Sequence, residues 1–193
     1  LKWDLAPLLA CGLLAACAGI PPSEPAAALP ARDQVGNFAL EARFALRVSP
    51  PDGKPENSGG RLSWTHKNDD DRILISNPLG VGLAEIDAGP TLSRLRTGDG
   101  QDFESSDPDA LIERVTGQRL PVRQLPEWLL GRGAPTRIES DARGRPVRLN
   151  EAGWQIDYTY ADSAPGALPE RVTLTRDKEI ELLLRIEEWI VVP

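Results

Sequence analysis

The chain has little of what most chemistries need. Among its 193 residues there is one His, there are two Cys and there is no Met, so Leu1 is not a standard initiator. Acidic residues outnumber basic ones, 29 to 22, and no long basic run occurs, which argues against nucleic acid as a partner. No glycine-rich phosphate loop or dinucleotide fingerprint is present. One His and no spare thiol leave no zinc set. The run Asn68 to Asp71 is acidic, but it lacks the spaced ligands and the glycine of a calcium loop, so it reads as a solvated turn. Ser63, His66 and Asp69 to Asp71 could be written as a triad. However, no strand-turn-helix elbow accompanies them, and a His at a strand end beside a turn is expected to be a surface residue. The chain therefore reads as a non-enzyme that needs no metal or cofactor. Its length suits one domain with a sizeable core.

Leu5 to Ala16 is an apolar run of signal-peptide length, too short to cross a bilayer as a helix, with Lys2 offset by Asp4 as its flank. It ends in Leu14-Ala15-Ala16-Cys17, which resembles the bacterial lipoprotein signal, where the Cys is acylated and becomes the mature N-terminus. An ordinary signal peptide with an incidental Cys is the weaker reading. On the lipoprotein reading Cys11 is discarded and Cys17 blocked, so no disulfide forms. Position 18 is Ala, not the Asp that resembles an inner-membrane retention signal, which favours the outer membrane. The expected organisation is a signal peptide over 1–16, a lipid-anchored Pro- and Ala-rich tether over 17–36 and a single domain over 37–193. A short helix between Pro30 and Val35 is weakly signalled.

From Asn37 the hydrophobic period is two. Phe38, Leu40, Ala42, Phe44, Leu46 and Val48 share one parity, predicting a long half-buried strand. Pro50 to Gly60 reads as a polar loop, and Arg61 to His66 resumes with Leu62 and Trp64 on one face. Thr91 to Arg96 and Gln101 to Ser105 form a hairpin about Gly98-Asp99-Gly100. Two short helical pieces follow. Asp107 caps the first, Pro108 opens it and Gly117 ends it; the second carries Val122, Leu125, Trp128 and Leu129 and stops at Gly131. Alternation then returns through Trp154, Ile156 and Tyr158, through Val172 and Leu174, and through Ile180, Leu182, Leu184 and Ile186. The class is mostly β with a few short helices, a curved antiparallel sheet forming an unclosed half-barrel with a helical lid or plug.

At the centre lies Asn77-Pro78-Leu79-Gly80 between two apolar strands. Asn, Pro and Gly suit positions one, two and four of a type I turn, which leaves Leu79 at the loop tip. Most Leu are buried, so Leu79 alone is expected to fold back on the core; the alternative is an apolar finger aimed at something outside.

Taken together, the residues resemble the LolB family of outer-membrane lipoproteins. The resemblance rests on the signal ending at Cys17, Phe44 with Trp64, and Asn77-Pro78-Leu79-Gly80. It continues through Gly117, Leu120-Pro121, Leu125, Trp128 and Gly131, Gly153-Trp154 with Tyr158, Pro169, and Trp189-Ile190-Val191. It implies an incomplete antiparallel barrel with helices over its mouth. It also implies a protein that accepts acylated lipoproteins from a soluble LolA-like periplasmic carrier and inserts them into the inner leaflet of the outer membrane. It favours an exposed Leu79, within a Pro78-Leu79-Gly80 insertion loop. The expected acyl-chain lining is Leu40, Phe44, Leu62, Trp64, Ile73 and Ile75 from the sheet. Leu111, Ile112, Val115, Leu125 and Leu129 are expected from the lid. A monomer lipid-anchored to the outer membrane and facing the periplasm is expected. A hydrophobe-binding outer-membrane lipoprotein with no carrier partner is the alternative.

Overall fold

The computed structural model describes residues 31–192 with the exception of Asp52, so the signal segment, Cys17 and most of the expected tether lie outside the described residues. Eleven strands form one sheet: β1 (Asn37–Val48), β2 (Glu56–Lys67), β3 (Asp70–Ser76), β4 (Gly82–Ala88), β5 (Ser93–Thr97), β6 (Asp102–Ser105), β7 (Ile138–Ser140), β8 (Pro146–Glu151), β9 (Trp154–Thr159), β10 (Arg171–Arg176) and β11 (Ile180–Val192). Their order is β6-β5-β4-β3-β2-β1-β11-β10-β9-β8-β7, and every neighbouring pair is antiparallel. The two outermost strands, β6 and β7, are not paired with each other, so the barrel is unclosed. Two helices, α1 (Pro108–Thr116) and α2 (Leu125–Leu129), sit between the halves of the sheet in sequence and bury their apolar stripes in the same core.

The long central strands follow from alternation. Phe38, Leu40, Ala42 and Leu46 of β1 face the core together with Leu62 and Trp64 of β2 and Ile180, Leu182, Leu184 and Ile186 of β11. A bulge lies between Glu41 and Ala42 of β1: Leu40 pairs with Trp189 but Ala42 pairs with Ile186. The extra residue in β11 reverses the inward parity, so odd-numbered Trp189 and Val191 pack on a core that even-numbered residues reach before the bulge.

Two expectations are corrected. The stretch from Glu56 to Gly60 is strand, not loop, and β2 pairs with β1 all the way to Val48. Its glycines are needed for strand contact: a Cβ on Gly60 would lie 2.0 Å from the Ser76 carbonyl oxygen, and one on Gly59 would lie 2.9 Å from that of Phe44. The domain also begins before residue 37. A 3₁₀ turn at Arg32–Gln34 packs on the sheet, Val35 is fully buried, and the Arg32 N–H donates to the Gly166 carbonyl at 2.9 Å. Residues 31–36 are therefore part of the packed body.

Candidate functional site

The lid is built from local signals. Asp107 accepts the Asp109 N–H at 3.0 Å, Pro108 opens α1, and Gly117 ends it in the left-handed region at φ 69°. α1 packs on β4, β5 and β6. α2 is tied to the other half of the sheet: Trp128 Nε1 donates to Glu151 Oε2 at 2.9 Å, and the Tyr158 hydroxyl donates to the Trp128 carbonyl at 2.7 Å. Burial holds the Tyr158 phenol well above its ordinary pKa.

Residues 117–124 form a strap that crosses from one half to the other. Polar contacts pin it. The Val122 N–H donates to Asp109 Oδ1 at 2.9 Å, Arg119 pairs with Asp107, and the Arg123 guanidinium donates to the carbonyls of Gly89 and Ser106 at 3.3 and 3.4 Å. The hydrogen bond from Arg119 holds the Asp107 carboxyl below the usual carboxylate range, whereas burial pushes Asp109 above it.

Beneath the strap lies an apolar hollow. Its floor is Phe44 and Leu46 of β1, Leu62 and Trp64 of β2, Ile73 and Ile75 of β3, and Leu182 and Leu184 of β11. Its roof is Ile112, Thr116, Leu120, Val122 and Leu125, and Thr116 is the one polar residue in the wall. The free space within it is about 60 Å³. A ligand pocket usually holds about 300–1,000 Å³. The hollow is therefore mostly collapsed.

Register explains its position. Phe44 pairs with Leu184 and Leu46 with Leu182, toward the end of the sheet where β1 gives way to β2. At that same end Phe44 pairs with Gly60, and neighbouring Arg61 pairs with Ser76, which leads into the turn after β3. The opposite end, near Phe38 and Leu40, is packed solid.

Seven of the eleven expected lining residues meet at the hollow: Phe44, Leu62, Trp64, Ile73, Ile75, Ile112 and Leu125. Leu40, Leu111 and Leu129 are instead fully buried in packing, and Val115 is partly buried against the core, so these four do not line the hollow. The alternation pattern did mark Leu46, Leu182 and Leu184 as inward-facing, but they were not among the expected wall residues. Val122 belongs to the stripe expected of the second helical piece but lies in the strap ahead of α2, and Leu120 has no periodic signal, because the strap is neither helix nor strand.

The central turn forms as its residue types require. The Gly80 N–H donates to the Asn77 carbonyl at 2.9 Å, Gly80 has φ 87°, and Asn77 Oδ1 accepts from the N–H groups of Leu79 and Val81. Leu79 is 89% exposed, so it does not fold back on the core. Pro78 and Gly80 flank it on the tip.

No Ser-His-Asp triad assembles. Ser63 Oγ donates to Glu41 at 2.6 Å on the outer face of β2. His66 has the parity of Leu62 and Trp64, and so lies on the other face. Nor is His66 the expected surface residue: its ring packs at a tilt against Phe38, and its Nδ1 lies 2.8 Å from Asp71 Oδ1, which also accepts from Trp64 Nε1 at 2.7 Å. The buried Asp71 holds both rings.

Residues 36–189 match the family model described as Outer membrane lipoprotein LolB. The chain is 60% identical over 187 residues to the Outer-membrane lipoprotein LolB of Dechloromonas aromatica, with 96% of each chain covered. It is 36% identical over 189 residues to the protein of the same name from an Azoarcus species, covering 94% of this chain and 93% of that one. A solved LolA superfamily protein from Nitrosomonas europaea has a TM-score of 0.51 at 12% identity, covering 84% of this chain and 90% of the other, a likeness of fold alone.

Proposed function

Because the chain belongs to the LolB family of outer-membrane lipoproteins, we propose that it receives acylated lipoproteins from a LolA-like periplasmic carrier and releases them into the inner leaflet of the outer membrane. In this reading Cys17 carries the lipid anchor, residues 18–30 link it to the body, and the body works as a monomer facing the periplasm. The observation that carries the reading is the hollow between the sheet and the strap, apolar in every wall residue except Thr116.

The physical need for such a hollow is large. Each methylene moved into water costs ~0.8 kcal/mol, so a long acyl chain would cost on the order of 10 kcal/mol to expose fully. A cup of Leu, Ile, Phe and Trp offsets that cost without making or breaking a bond. Ligand pockets usually hold about 300–1,000 Å³, so a void of about 60 Å³ takes an acyl chain only if the strap and α1 lift from the sheet. Entry is then a shift from a closed to an open state, driven by the chain that fills the open one. Handover requires only that each successive site hold the chain more tightly, with the bilayer as the final sink. The exposure of Leu79, 89% at the hollow's end of the sheet, supports the reading that it touches that bilayer first.

The test is a transfer assay. The acylated full chain is placed in phospholipid vesicles and given a LolA-like carrier loaded with an acylated lipoprotein. Movement of cargo from the carrier into the vesicle is expected only when the protein is present. If the chain binds fatty acids but takes no cargo from the carrier, it is a plain hydrophobe-binding lipoprotein and the transfer reading fails.

A further inference from the structure

Seven large apolar side chains stand exposed among the described residues, and four of them, Leu74, Leu79, Val81 and Leu83, lie within a single hairpin. Scattered exposed Leu need no explanation, whereas a contiguous cluster does. Leu74 projects outward because Ile73 and Ile75 on either side of it line the hollow, and it is 41% exposed. Leu83 is the unmatched residue of a bulge, since Ile75 pairs with Ala84 and Ser76 with Gly82; it is 44% exposed, and Val81 is 60% exposed. Leu79 and Val81 stand on the loop, and Leu83 and Leu74 on the strands behind it, where Leu74 lies opposite Glu85.

A shallow groove follows the same face. Leu74, Ser76, Gly80, Gly82 and Gly98 line it, with Arg61 contributed by β2 and Arg96 by β5. The acidic residues in the groove are already engaged: Glu85 pairs with Arg72, and Glu41 accepts from Ser63. Arg96 is paired with Asp102 at 3.0 Å. Arg61 has no carboxylate within ion-pairing distance among the described residues. It stands beside Ser76 in register, next to the apolar cluster. An exposed aliphatic strip next to an unpaired guanidinium matches the layering of a phospholipid surface, with phosphates lying above acyl chains.

We propose that the outer face of the β3–β4 hairpin is a bilayer-docking surface, on which Leu74, Val81 and Leu83 follow Leu79 to the interface and Arg61 pairs with a lipid phosphate. The proposal rests on the insertion role given to Leu79 and extends it from a single tip to a whole face. The body then lies on the membrane along one hairpin, with the hollow on the other side of the same strands. An arginine gives a planar donor fork that fits a phosphate, and every phospholipid carries one, so docking depends on the phosphodiester more than on net lipid charge.

The experiment places single cysteines at Leu79, Val81, Leu83, Leu74 and, as a control, at exposed Val147 on β8. Each is labelled with an environment-sensitive fluorophore in the acylated full chain, within vesicles of phosphatidylethanolamine and phosphatidylglycerol that carry a lipid-borne quencher. Quenching is expected at all four hairpin positions, greatest at Leu79, with none at Val147. Arg61→Glu is expected to reduce quenching at Leu74 and Leu83 at least twofold, with Arg61→Lys intermediate and thermal unfolding unchanged. Quenching at Leu79 alone overturns the docking face and leaves the tip's role intact. Absence of quenching at Leu79 as well overturns both.

Discussion

Leu79→Glu separates membrane delivery from everything else the chain does. Because Leu79 is 89% exposed, its side chain supports no packing. The turn is held by backbone and Asn77 contacts that a Glu at 79 preserves. Stability should therefore change by no more than about 0.5 kcal/mol. A leucine side chain leaving water for the acyl layer contributes about 1.5–3 kcal/mol. Losing that alone slows a step that needs insertion by about tenfold to a hundredfold, at ~1.4 kcal/mol per decade. An ionised carboxylate adds up to about 2.5–3.5 kcal/mol if it is driven to the bilayer centre, so the leucine term is a floor. The assay follows a fluorescent acylated lipoprotein from its carrier to the protein and then to vesicles. Uptake should be normal and delivery at least tenfold slower, with Leu79→Ile close to the parent. Normal delivery by Leu79→Glu would refute the tip's role, and lost uptake would move that role to cargo reception.

Three other outcomes follow from the geometry. Leu62→Ala enlarges a void that already exists beneath the strap; it should cost about 2–5 kcal/mol in denaturant unfolding while increasing uptake of an acyl-chain probe. Gly60→Ala should lower stability by about 1–3 kcal/mol or more, since its Cβ would lie 2.0 Å from the Ser76 oxygen, whereas a Cβ on Gly36 meets nothing within 4 Å and Gly36→Ala should cost far less. Asp109→Asn keeps an acceptor for Val122 but removes a carboxyl whose pKa burial raises. A raised carboxyl favours the fold when protonated, and that contribution is lost as pH rises through the raised value. The variant should therefore melt higher than the parent at pH 7, with the difference vanishing below the ordinary Asp pKa. A difference that grows as pH falls would contradict this.

What could be read from the residues depended on how far each signal reaches along the chain. Asp107, Pro108 and Gly117 set the ends of α1 by contacts within a few residues, and the Asn77 to Gly80 turn is equally local, so both were legible. The face of each strand was legible as well, because parity is local. Depth along a strand was not. Leu40 and Leu46 have identical parity, yet Leu46 borders the hollow and Leu40 is packed solid; the difference depends on which end of β11 each one meets. Gly59 and Gly60 looked like loop because their reason for being glycine lies on β1 and β3. The side of the sheet on which His66 lies could be read from parity, but its burial against Phe38 and Asp71 required partners that parity does not name.

The collapse of the hollow is itself part of how a handover protein must be balanced. An open apolar cup in water would expose Leu, Ile and Trp surface, costing about 25 cal/mol per Å² and inviting aggregation. Closing the strap removes that cost, and it also lowers the apparent affinity for acyl chains by the fraction of molecules that are open. Polar contacts at Asp107, Asp109 and Arg123 hold the strap shut, and these can break and re-form against water at little net cost. On the proposed reading, the apolar contacts beneath them are what an acyl chain replaces when it enters and what re-forms when it leaves. On that same reading the protein regains its own packing at the moment the bilayer takes the cargo, so both partners of the last step favour release.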